Sequence, residues 1–277
     1  MKLGCMLYSL GRSIGSGAIT IPQALQVIRE SGGLGVDLME GIAGPPSVAE
    51  LRTLVEDAGL VVSSHIGGRN LTQADPVARQ EGVDAIRRLI DDSRELGTDV
   101  LLITTGGCAE GQDPAEARRN VAHALAEVLP HARQAGVTLT IEDFGSPVAP
   151  YQTSAEVMET CELAGPDLMV TYDSGNMIMG DEDPVVFLRA VAPRLRHAHA
   201  KDWALVPDDQ ARLRSRAGKG YVGATTGNGV LDYPAIIAEL QALNYQGYLS
   251  FEYEGPDDPV EETRRGMGYL SELLHSA

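Results

Sequence analysis

Four apolar runs in the second half of the chain each carry a potential metal ligand at or beside their end: VTLTIE at Glu142, LMVTYD at Asp173, LRHAHA at His199 and YLSFE at Glu252. Three carboxylates and one imidazole make a mostly oxygen donor set. Such a set suits one divalent cation, Mn²⁺ or Mg²⁺ first, with Co²⁺ and Zn²⁺ as alternatives. Side chains alternate across a strand, so parity shows which residues share the ligand's side. Thr138 and Thr140 fall with Glu142, Thr171 with Asp173, His197 with His199, and Tyr248 and Ser250 with Glu252. The opposite parity reads Leu139/Ile141, Val170/Tyr172, Ala198/Ala200 and Leu249/Phe251. One face is small or polar and the other largely apolar, as when the first lines a lumen and the second packs beneath helices.

The elements that would position these residues follow a steady rhythm. Apolar runs of strand length lie near 2–9, 34–40, 60–66, 99–105, 137–143, 168–173, 195–201 and 247–253. Helical patterns follow them near 21–31, 47–58, 76–96, 114–135, 153–164, 184–192, 234–243 and 259–274. This alternation is the signature of parallel βαβ units. Asp75-Pro76, Asp113-Pro114, Asp183-Pro184 and Asp258-Pro259 each set an N-cap acceptor before a proline whose missing N–H is harmless at the first helical position. Glycines in ELGTDV, QAGVTL and DAGLVV can take the left-handed conformation after a last helical turn. The 277 residues lie near the ~250 typical of a (β/α)8 TIM barrel, so residues 1–277 are read as one α/β domain. The four ligands then fall at the carboxyl ends of the last four strands, where barrel enzymes keep their active sites. Residues 203–232 interrupt the rhythm as a long, Arg- and Gly-containing loop expected over that mouth as a lid.

Whole-chain properties narrow the partners. Lys and Arg number 22 against 39 Asp and Glu, a formal charge of −17, which disfavours both nucleic acid and an anionic membrane surface. Cys5, Cys108 and Cys161 are odd in number and lack a CxxC spacing, so neither a disulfide framework nor a thiolate metal site is expected. The amino-terminal apolar stretch is broken by Gly4 and too short for a signal peptide, and no run approaches a membrane span. These features predict a soluble, cytoplasmic protein.

The segments TIEDFG, VTYDSGNMIMGDEDP, HAHAKDW and GNGVLDYPAIIAELQALNYQGYLSFEYEG resemble the sugar phosphate isomerase/epimerase family of the xylose isomerase-like barrel superfamily. The resemblance runs through nearly the whole chain. It implies that Glu142, Asp173, His199 and Glu252 bind one divalent metal ion, that Glu142 and Glu252 flank the carbon whose proton moves, and that the protein forms homo-oligomers. The implied reaction is isomerisation or epimerisation of a small sugar or keto-polyol through an enediolate, for which the cation is the Lewis acid and positioned glutamates are the acid and base. Loss of a hydroxyl at the same site would give a dehydratase acting on an inosose-like keto-polyol. A non-catalytic sugar-binding barrel is the remaining alternative.

Further candidates surround this core. Lys201 shares the parity of His199 and is expected to hold a substrate oxygen or stabilise a developing oxyanion. His65 and Glu40 close earlier strands, Asn176 follows Asp173 by three residues, and Trp203 could wall a sugar ring; these four are the expected substrate-binding residues. Ketose 3-epimerases of the superfamily carry His where this chain has Asn176, and Arg where it has an Ala-Leu-Val run, whereas its His-x-Lys-Asp segment looks more like the branch that includes inosose dehydratases. Thr104, Thr105 and Asn176 stand where an apurinic-site endonuclease would need histidines. The last helix opens GPDDPVEE, placing carboxylates at its anion-attracting end, so an unphosphorylated substrate is expected.

Overall fold

A computed structural model describes residues 1–42, 44, 46–146 and 148–276. The strands are β1 (Lys2–Met6), β2 (Gly35–Met39), β3 (Val61–Gly68), β4 (Val100–Thr104), β5 (Thr138–Ile141), β6 (Met169–Asp173), β7 (Leu195–Ala200), β8 (Asp202–Val206), β9 (Leu213–Arg214), β10 (Gly220–Ala224) and β11 (Tyr248–Phe251). The helices are α1 (Gly11–Gly15), α2 (Ile21–Glu30), α3 (Val48–Asp57), α4 (Pro76–Leu96), α5 (Pro114–Ala135), α6 (Ser154–Ala164), α7 (Pro184–Val191), α8 (Tyr233–Ala242) and α9 (Pro259–Ser276). Strands β1 to β7 and β11 close a parallel barrel in the order β1-β11-β7-β6-β5-β4-β3-β2. Each predicted strand and helix is present within a few residues of its expected ends. The short helix α1 was not anticipated. Among the described residues no helix is long and apolar enough to cross a membrane.

The boundaries arise from the local chemistry read in the sequence. Asp75 accepts from the Ala78 N–H, Asp113 from Ala115, and Asp183 from both Val185 and Val186, so the first turns of α4, α5 and α7 have capped donors. Gly97 and Gly136, at φ 82° and 71°, end α4 and α5 in the left-handed region, where a Cβ would be strained. The outward parity set Leu139, Ile141, Val170, Tyr172, Ala198, Ala200, Leu249 and Phe251 is fully buried in the core between barrel and helices. Toward the lumen, the Thr140 and Thr171 hydroxyls meet at 2.8 Å, as their shared parity with the ligands required.

Two irregularities matter for the site. Val36 pairs with Val62 but Asp37 with Ser64, so Ser63 is an extra residue in β3. Val170 pairs with Leu195 and Thr171 with His197, which makes Arg196 extra in β7. Such bulges re-aim the side chains that follow them.

Residues 203–232 also differ from the irregular loop expected there. They contribute to a three-stranded antiparallel sheet, β8-β10-β9, that runs from Asp202 to Ala224. Its ends are drawn together by Asp202, whose buried carboxylate accepts from the backbone N–H groups of Trp203, Gly227, Gly229 and Leu231. Arg216 ties the sheet to the barrel's carboxyl end by donating to Glu156 at 2.9 Å and Gln152 at 2.7 Å, while its backbone N–H reaches the Met179 carbonyl.

Candidate functional site

Glu142, Asp173, His199 and Glu252 converge just beyond or at the ends of β5, β6, β7 and β11, and one ligand atom from each lies within 4.8 Å of every other. Strand geometry explains the convergence: each residue closes an inward-facing register of the barrel. The structure also shows how each is held. Asp173 turns Oδ1 to the backbone N–H groups of Gly175 (2.6 Å) and Asn176 (2.8 Å). His199 uses Nε2 on the Asp37 carboxylate at 3.1 Å. Glu252 gives Oε1 to the Lys201 ammonium at 2.8 Å.

Each of these residues keeps its other ligand atom free. Glu142 Oε1, Asp173 Oδ2, His199 Nδ1 and Glu252 Oε2 are buried and have no hydrogen-bond partner among the described residues. His199 Nδ1 stands 2.6 Å from Glu142 Oε1 and 3.4 Å from Glu252 Oε2. Buried polar atoms are ordinarily paired, and an exception calls for a missing partner. Four orphaned donor atoms around one point, mostly oxygen, fit a single divalent cation.

The electrostatics point the same way. Burial raises the Glu142 carboxyl against the pull of His199, and pushes Glu252 up to about 8 despite Lys201. Burial, then the neighbouring Asp173 and Glu142, likewise raise Asp143. Its two carboxylate oxygens are buried without hydrogen-bond partners among the described residues. Burial works to lower His199 and Lys201, but the carboxylates around them outweigh it and raise both well above their ordinary values. Lys201 Nζ is 3.3 Å from Glu254, 3.3 Å from the Asn176 side-chain oxygen and 3.6 Å from Asp173.

The other expected contacts are distributed unevenly. Asn176 joins the cluster: it donates to the Asp143 carbonyl at 3.0 Å and receives Lys201. Glu40 is at the rim, bound by both terminal nitrogens of Arg69 at 2.7 and 3.0 Å, and Arg69 lowers its pKa against the opposing effect of burial. His65 is turned to the helix layer, where its Nδ1 lies 2.9 Å from Ser93 Oγ of α4. The reason is the extra Ser63: it moves His65 into register with outward-facing Leu38 and Leu101, and Ile66 into register with Met39 and Leu102. Trp203 is only 1% exposed and packs against Ile178, Met179 and Tyr221. Instead, a cavity of about 290 Å³ opens beside Glu142, walled by Arg69, Asn70, Leu102, Thr104, Phe144 and Tyr151.

Asp37, Asp143 and Glu254 were not singled out from sequence. Asp37 left a signal, a lone charge inside the apolar run GVDLM. Its carboxylate is fully buried beneath the cluster, accepting the Ser63 hydroxyl at 2.5 Å and contacting His197 Nε2 at 2.8 Å. Burial works to raise it, but the two histidines outweigh that and hold it below the ordinary carboxylate range.

A closed eight-stranded parallel barrel with this cluster at its carboxyl end defines a class, and the xylose isomerase-like TIM barrel profile matches residues 17–273. The chain belongs to that family. An inosose dehydratase of Clostridium tetani (strain Massachusetts / E88) is 29% identical over 132 residues, 44% of this chain and 43% of that protein. The alignment thus spans less than half of the curated relative. A crystal structure of a protein from Sinorhizobium meliloti 1021 superposes with a TM-score of 0.79 at 23% identity, covering 98% of each chain. A structure of L-ribulose 3-epimerase gives a TM-score of 0.79 at 18% identity, covering 99% of this chain and 95% of that one. At these identities the structural likeness speaks for the fold.

Proposed function

We propose that the protein is a divalent-metal-dependent isomerase or epimerase of a small, unphosphorylated sugar or keto-polyol, with Mn²⁺ the preferred ion. The observation that carries this is the set of four orphaned ligand atoms, two of them on glutamates, one of which, Glu142, lines a cavity of small-molecule size. Glu142, Asp173, His199 and Glu252 would hold the cation, which supplies Lewis-acid polarisation of a substrate carbonyl. Glu142 lines the cavity and is the group placed to take a proton from the carbon next to that carbonyl. Glu252, its pKa raised by burial, is the group placed to return one. Lys201 holds Glu252 in position and offers positive charge to an oxygen on which negative charge develops. Arg69 is already neutralised by Glu40, so the rim contains no free cation from that pair to favour a phosphate.

The test is solvent isotope exchange. With Mn²⁺ and a panel of ketoses and keto-polyols in deuterated water, a substrate should gain deuterium at the carbon beside its carbonyl, and Glu142→Gln should abolish that exchange without altering the circular dichroism. Exchange undiminished in the variant would refute the role of Glu142. A second reading, dehydration of an inosose-like keto-polyol, is favoured by the relative named inosose dehydratase. Product mass separates the two, because a dehydratase product is lighter by one water.

A further inference from the structure

Beneath the ligand cluster, one carboxylate organises two imidazoles. Asp37 Oδ2 lies 2.8 Å from His197 Nε2 and 3.1 Å from His199 Nε2, while Oδ1 accepts from Ser63. All three of Asp37, His197 and His199 are at most 1% exposed. The two rings stand edge to face, with centroids 5.2 Å apart. A buried carboxylate costs several kcal/mol unless its oxygens are satisfied, and here three side chains from two strands, β3 and β7, converge on it. Ser63, the extra residue of the β3 bulge, is the hydroxyl that faces Asp37.

An ionised carboxylate only accepts hydrogen bonds, so an imidazole facing it through Nε2 presents N–H there. For a neutral His199 that choice places the lone pair on Nδ1, the atom facing Glu142 and Glu252. We infer that Asp37 is a positioning residue that fixes His199 in its Nε2–H tautomer, so that Nδ1 is presented as a metal ligand, with Ser63 and His197 holding Asp37 in turn. The inference rests on the metal reading above. A carboxylate behind a ligating histidine fixes the ring and increases its basicity, and losing one lowers metal affinity by about 10- to 100-fold. The cluster Asp37, His197 and His199 is therefore support for one ion and does not hold a second.

Two variants and two readouts test this. In Asp37→Ala, calorimetric titration with Mn²⁺ should show affinity reduced about 10- to 100-fold. Asp37→Asn can still accept through its amide oxygen and donate its NH₂ to Ser63, so it should retain more affinity than the alanine variant and serve as the conservative control should that variant fold poorly. Long-range ¹H–¹⁵N spectra of the metal-free protein, recorded at a pH high enough for the His199 ring to be neutral, give the second readout: His199 should show Nε2–H in the wild type and lose that preference in Asp37→Ala. Unchanged Mn²⁺ affinity in Asp37→Ala, an Nδ1–H tautomer in the wild type, or two ions bound per chain would each overturn the proposal. If the wild type binds Mn²⁺ but turns over no sugar, the enzymatic reading fails while this one stands. If it binds no Mn²⁺, the metal reading fails, and the wild-type tautomer still decides the role of Asp37: Nε2–H supports it and Nδ1–H overturns it.

Discussion

Lys201 and Glu252 divide one carboxylate between them and the cluster: Nζ lies 2.8 Å from Oε1, while Oε2 has no hydrogen bond among the described residues and lies 3.4 Å from His199 Nδ1. The lysine thereby fixes the orientation of the second glutamate and places a positive charge at the cluster's edge. Lys201→Met should lower kcat by about 10² to 10³, the usual cost of removing one charge-stabilising donor. Mn²⁺ affinity should hold or rise, because a competing cation has been removed. A variant with wild-type kcat would rule out a catalytic role for the lysine.

Metal removal should be visible in stability. A ligand that binds only the folded state at a hundredfold excess over its Kd adds about 2.7 kcal/mol, which for a chain of this size raises Tm by roughly 5 to 10 °C. Dialysis against chelator should lower Tm by that amount and Mn²⁺ should restore it. Asp173→Asn, which alters one ligand, should show little response. Equal Tm values with and without Mn²⁺ would contradict the cation site.

Much of this arrangement was legible in the sequence because its cues are local. Aspartate-proline pairs and post-helical glycines set the boundaries, and period-two parity placed Thr140 opposite Thr171 and all four ligands inward. What escaped depends on pairings between distant segments. His65 was expected among the substrate-binding residues because it closes a strand, and only the alignment of β3 with β2 reveals the extra Ser63 that turns it outward. Asp37, a lone charge in an apolar strand, was passed over, and its histidine partners lie some 160 positions away. The sheet within 203–232 likewise depends on Asp202 closing a long excursion through backbone N–H groups that carry no sequence signature.

That closure argues for a fixed wall at the barrel mouth. Asp202 receives four backbone N–H groups, and hydrogen bonds to a charged group contribute about 1.5 to 3 kcal/mol each. In hydrogen-exchange mass spectrometry the amides of Gly227, Gly229 and Leu231 should be protected in the wild type and exchange faster in Asp202→Ala. Stability should fall by at least about 2 kcal/mol. Rapid exchange of those amides in the wild type would instead describe a swinging lid.

His65 should make stability sensitive to acid. Ser93 gives its only hydroxyl proton to the Leu89 carbonyl, so the His65 Nδ1 facing Ser93 Oγ must carry the hydrogen, and the ring is held neutral in the helix layer. Burial lowers its pKa from 6.5 to about 4. A histidine depressed on folding binds its proton more readily in the unfolded chain, so its contribution is complete above the unfolded pKa and is lost as pH falls from about 6.5 toward 4. From about pH 7.5 to about pH 5 this one group should remove about 2 kcal/mol. His65→Asn keeps an N–H donor near the same place without titrating there; it should be less stable at neutral pH yet show a shallower decline over that interval. Urea unfolding at both pH values measures the difference, and parallel declines in the two proteins would show that His65 is not the group responsible.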